Sequence, residues 1–144
     1  MKRSPDPLVE FGDTMEEFLS FLKEQSVETI VLSQPSLWKE RMSSQESGAL
    51  WLPINTAEGP VRLSDGDLAR AFSKYNVLQQ EIARRIGADF VDLDRNVPKT
   101  LDYFFDDVHF TDKGSEQVAQ AIFPEAGELV AKALRRKKVT LRTE

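Results

Sequence analysis

Apolar positions recur at helical spacing in three places along this chain. From Thr14, Met15, Phe18, Leu19 and Leu22 fall on one face, predicting a helix to about residue 25. Leu68, Ala71, Phe72, Tyr75, Leu78, Ile82 and Ile86 repeat the pattern, with Gly87 as the stop signal, and predict a helix over 67–86. A last helix is expected from about Asp112, interrupted at Pro124 and resumed through Leu129, Val130 and Leu134. Between them lie short apolar runs. Thr29 to Leu32 is mostly β-branched and apolar, as a strand covered on both faces would be, and Phe90 to Leu93 predicts a second strand. Leu8 to Phe11 is at most a third.

The order helix, strand, helix, strand, helix predicts an α/β domain with a short parallel sheet flanked by helices. We expect one domain over 1–144. Residues 1–12 read as an irregular lead-in because Pro5 and Pro7 disfavour helix, and 135–144 as a basic tail that frays. Residues 36–65, rich in Ser, Gly, Pro and Glu, read as a long loop anchored by Trp38, Trp51 and Leu52. A sheet of two strands leaves edges open, which favours self-association or pairing with another polypeptide.

Composition narrows the function. With a net charge of -5 and only 19 basic residues against 24 acidic ones, a general nucleic-acid binder is not expected. No cysteine is present, so thiolate chemistry is excluded. The prolines and acids of the first residues break any secretory apolar core, and no run is long enough to span a membrane. Cytoplasm is the default expectation, and no cofactor is indicated.

The chemistry concentrates in Asp106-Asp107-Val108-His109-Phe110-Thr111-Asp112, which holds the single histidine of the chain with an acid three positions before it. A neutral imidazole takes a proton from a hydroxyl near neutral pH, and a carboxylate on its other nitrogen fixes the tautomer. His109 is the candidate base and Asp106 its orienting acid, with Asp107 read as a solvated turn residue. Asp102, Asp106, Asp107 and His109 also have the donor types of a hard-metal site, but without a second histidine no metal is expected. For a nucleophile the candidates are weak. Gly12-Asp13-Thr14 offers Thr14 as an attacking hydroxyl, although Thr14 with Glu17 three residues on also reads as a helix-capping pair.

The segment DYFFDDVHFTDKGSEQVAQAI resembles the last block of the SGNH, or GDSL-type, hydrolases. ETIVLSQPSLW and AFSKYNVLQQEIARRIGADFVDL are similar to that family's preceding strand and helix-strand unit, so the resemblance covers most of residues 14 to 124. It implies a partial three-layer α/β/α, flavodoxin-like fold and an ester substrate. It also implies a Ser-His-Asp triad whose base and acid are His109 and Asp106. Ser33 corresponds to a residue beside such a site that does not attack, and Tyr75-Asn76 resembles a pair found on the equivalent helix. The family's Gly-Asp-Ser-Leu, glycine and Gly-x-Asn-Asp blocks are missing. The resemblance is thus to the C-terminal portion alone; an inactive isolated chain is expected, with pairing to a missing N-terminal half as the partner it implies. The alternatives are a noncatalytic binding or assembly module, and a divergent hydrolase using Thr14.

Overall fold

The computed structural model describes residues 6–51, 54–56, 59–61 and 64–140, with backbone alone for 54–56, 60–61 and 136–140. The first helix, α1, spans Pro7–Glu24 and so begins well before the predicted Thr14. Pro7 occupies its first turn, where a missing N–H costs nothing, and Asp6 caps it by accepting the Leu8 N–H at 3.0 Å. The described part of the expected lead-in, including Leu8 to Phe11, is therefore mostly helix rather than irregular chain or strand. Residues 1–5 lie outside the described residues.

Strand β1 (Ile30–Leu32) pairs in parallel with β4 (Asp89–Val91), Val31 opposite Phe90. Between them the expected long loop carries structure of its own. A short helix α2 (Ser44–Ala49) is opened by a reciprocal capping box between Ser43 and Glu46. It is followed by an antiparallel pair, β2 (Ile54–Thr56) and β3 (Gly59–Val61). Leu52, one of the predicted loop anchors, lies outside the described residues. Helix α3 (Asp65–Ile86) then crosses back to β4, capped by Ser64 and ended by Gly87 at φ 84°, a left-handed conformation that glycine adopts without steric cost.

Leu93, predicted to close the second strand, instead opens the short helix α4 (Leu93–Asn96), because Asp92 turns the chain by accepting the Arg95 N–H. The final helix, α5 (Asp112–Thr140), runs through Pro124 without breaking into two pieces. The proline removes one backbone donor, yet the residues on either side keep the helical path. Its described backbone also stays helical through 135–140, where a frayed tail was expected; residues 141–144 lie outside the described residues.

The described residues are mostly helical, and with its two-stranded parallel sheet the chain belongs to a small α/β class. Two apolar clusters hold it together. Leu19 of α1, Val31 of β1, and Ile82 and Ala83 of α3 form the first, with Met15, Leu22, Leu78 and Ile86 around them. Phe18, predicted on the same face of α1, points outward at 57% exposure. Leu37, Val97 and Phe104 form the second cluster, joined by Tyr103, Phe110 and Val118. That second cluster seats the histidine turn. No described helix is long and apolar enough to cross a membrane.

Candidate active site

The histidine sits in a turn built on backbone bonds. Phe104 and Phe110 form an isolated antiparallel bridge, and the Phe105 N–H donates to the His109 carbonyl at 3.1 Å. Inside this turn one carboxylate oxygen of Asp106 accepts the N–H groups of Val108 and His109, each at 2.9 Å. This is the local side-chain turn that aspartate favours, and it presents the same carboxylate to the imidazole. His109 Nδ1 lies 2.8 Å from Asp106 Oδ2 and 3.0 Å from Oδ1. Burial raises the Asp106 pKa, but the two backbone N–H groups, the imidazole and Trp51 outweigh it, so the carboxyl titrates below its ordinary 3.8.

The ring is accessible while its partner is not: the His109 side chain is 55% exposed and that of Asp106 only 9%. Among the described residues no hydrogen bond reaches His109 Nε2, the nitrogen that Asp106 leaves available. Two aromatic rings lie nearly parallel to the imidazole. Trp51 has its centroid 6.2 Å away at 27°, and Phe105 5.6 Å away at 12°.

Asp107 overturns its expected role as a solvated turn residue. It is 1% exposed, and its carboxylate accepts the Trp38 indole N–H at 3.1 Å and the Trp51 backbone N–H at 2.8 Å. Its carbonyl accepts the Leu37 N–H at 2.9 Å. Three donors from the segments after β1 and α2 therefore meet one residue, which docks the histidine turn beside the chain leaving β1. Unpaired buried N–H groups are costly, so two tryptophans and an aspartate settle together.

The carboxyl ends of the two parallel strands are tied to each other nearby. Ser33, directly after β1, is 1% exposed, donates to Asp92 Oδ1 at 3.0 Å and accepts the Asp94 N–H at 2.9 Å. Its hydroxyl is thus committed to the junction of β1 and β4. Asn76 of α3 is buried, and its amide bonds both the N–H and the carbonyl of Gln34 at 2.9 and 3.0 Å. Tyr75 instead packs edge-on against Phe11. Of the Tyr75-Asn76 pair, Asn76 is thus the buried member that clasps the Gln34 backbone. Trp38 is a buried anchor packed on Phe72, whereas Trp51 is 61% exposed beside the histidine.

Thr14 lies in the middle of α1, where its hydroxyl donates to the Glu10 carbonyl at 2.8 Å. It is neither a helix cap nor part of a strand-to-helix elbow, and among the described residues it has no hydrogen bond to His109. The four potential metal donors do not converge either. Asp102 pairs with Lys113 at 2.8 Å, Asp107 serves the tryptophans and Asp106 serves His109. Among the described residues no group of three or more His, Asp or Glu side chains is arranged to hold a metal ion.

The residues that sequence reading missed are Asp107 and Phe105 as neighbours that shape the site, and Asn76 as the clasp on Gln34. Nothing local marks them, since an acid in an acid-rich turn looks solvated until the tryptophans arrive. Compared with protein-family models, curated proteins and solved structures, the chain matches none.

Proposed function

We propose that this chain provides the acid-base part of a serine-type ester hydrolase of the SGNH class. Its α/β core would then form part of a flavodoxin-like three-layer α/β/α domain. The observation that carries the reading is the geometry at one ring: Nδ1 is held by a buried carboxylate, while the ring is 55% exposed and no hydrogen bond among the described residues reaches Nε2. A carboxylate in that position keeps the proton on Nδ1, so that Nε2 presents its lone pair.

In the proposed reaction a serine oxygen attacks the ester carbonyl and its proton passes to Nε2 of His109. Asp106 stabilises the imidazolium. The same proton then moves to the leaving alcohol as the carbon-oxygen bond breaks, and water repeats the sequence on the acyl-enzyme. The attacking serine comes from a polypeptide segment that pairs with this chain, because no described hydroxyl is bonded to Nε2. Removing a serine nucleophile costs roughly a million-fold in kcat, so the chain by itself shows no useful turnover. That no described hydroxyl is bonded to Nε2 equally favours a second reading, a noncatalytic module that keeps the fold and assembles with a partner.

Two measurements separate these. The purified chain is assayed on p-nitrophenyl acetate and butyrate beside His109→Ala, and no difference is expected. The tagged chain is then recovered from its native cells and treated with a fluorophosphonate. A labelled serine on an associated polypeptide, with labelling slowed by His109→Ala, supports the hydrolase. An assembly without His109-dependent labelling leaves the noncatalytic reading, and robust His109-dependent turnover by the isolated chain removes the idea of a separate nucleophile.

A further inference from the structure

We propose that Asp107 is a positioning residue. In this role it holds Trp51 alongside His109, so that Trp51 and Phe105 form an aromatic platform for a neutral, planar apolar group next to the proton-accepting nitrogen. The positioning claim stands on geometry alone; the use of the platform by an ester rests on the proposed function.

The argument starts from exposure. Trp51 and Phe105 are each 61% exposed, although both are large apolar side chains. They are not stray surface residues, because both lie nearly parallel to the same imidazole within 6.2 Å. Large aromatic faces kept at the surface beside a polar group are what a site uses to orient a ligand ring or acyl chain.

Phe105 is placed by the histidine turn itself through its N–H bond to the His109 carbonyl. Trp51 lies 58 positions earlier in the chain, and its side chain reaches the Asp106 carboxylate of that turn. What fixes its backbone is the buried Asp107 carboxylate at 2.8 Å, whose other oxygen is engaged by Trp38 Nε1 at 3.1 Å. Both contacts require an acceptor. An asparagine supplies an oxygen for only one of them and turns an N–H group toward the other donor. Asp107→Asn therefore frees Trp51 or strains Trp38 while barely changing side-chain size. Both rings present apolar faces, so the platform suits an apolar planar group.

The test is NMR on the full chain, with the imidazole protons of His109 and the Trp51 indole followed in wild type, Trp51→Ala, Phe105→Ala and Asp107→Asn. Trp51→Ala removes the ring-current shift that Trp51 imposes on His109. Asp107→Asn is expected to lose that same shift while the Asp106-fixed tautomer persists, and adding Trp38→Phe, which deletes the competing donor, to restore it. Phenylacetamide is expected to move the His109 and Trp51 signals, acetamide to leave them in place, and Trp51→Ala or Phe105→Ala to abolish the response.

Wild-type His109 shifts in folded Asp107→Asn overturn the positioning role, and so does loss of a cooperative unfolding transition in that variant, which would make Asp107 a folding residue. Equal responses to the two amides, or none, overturn the platform. Because none of these readouts needs turnover, they can fail while the hydrolase reading survives. Conversely, a tautomer unaffected by Asp106 would sink the hydrolase reading and leave the platform standing.

Discussion

At His109 one oxygen pair does two jobs, since Asp106 both closes the turn and orients the ring. Asp106→Asn separates them. The amide oxygen can still accept the Val108 and His109 N–H groups, whereas the amide nitrogen no longer favours a protonated Nδ1. We expect a folded variant destabilised by about 1–2 kcal/mol, in which nitrogen NMR above the imidazole titration shows a mixture of tautomers. The wild type should show a single tautomer with an unprotonated Nε2. A single unchanged tautomer in both proteins would count against the orienting role. The Asp106 to His109 spacing was legible in the sequence because three residues is the reach of an aspartate turn. Asp107 was not, because its partners are 69 and 56 positions away.

Two glycines on one helix make opposite predictions at the scale of the element. Gly114 is in the first turn of α5, where an added Cβ would stand 2.0 Å from the Tyr103 carbonyl oxygen. Backbone cannot yield as a flexible side chain would, so Gly114→Ala is expected to cost about 3 kcal/mol or more and to loosen the helix from the histidine turn. Gly127, farther along, has nothing within 4 Å of an added Cβ. There alanine has the better helix propensity, and Gly127→Ala should gain up to about 1 kcal/mol. Urea denaturation of the two variants checks both signs. Helix α3 was readable from its period and its glycine stop. The start of α1 was misread because a proline that ends a helix from within is harmless in the first turn. The capping box of α2 stood in the sequence, but six residues without an apolar face give no period to notice.

Over the whole molecule, stability should fall in acid through identifiable carboxyls. The Lys39 ammonium lowers the Glu46 pKa from 4.5, and the Ser64 hydroxyl followed by Arg70 lowers Asp67 from 3.8. Asp106, where hydrogen bonds outweigh burial, is lowered from 3.8. Each holds its proton less tightly folded than unfolded, so its contribution is complete above those ordinary values and lost as pH falls through the lower folded ones. Urea midpoints should thus drop below about pH 4.5, and Asp106→Asn should flatten the part of that profile below the ordinary 3.8 of this carboxyl. A profile unchanged by the substitution would contradict the assignment. The second apolar cluster supplies another check. Phe104 is fully buried there, so Phe104→Ala should cost about 3–5 kcal/mol. Hydrogen exchange should then report faster opening of residues 103–111 than of α3.

The sequence by itself determined the main helices, the two parallel strands and the pairing of an acid with a histidine. All of these depend on neighbours within a few positions, where periodicity and turn chemistry act. Tertiary structure alone decided that Asp107 is buried, that Trp51 stands beside the imidazole while Trp38 goes inside, and that Ser33 is spent on joining β1 to β4. Those outcomes arise from donors and acceptors far apart in the chain, which must satisfy one another once water is excluded.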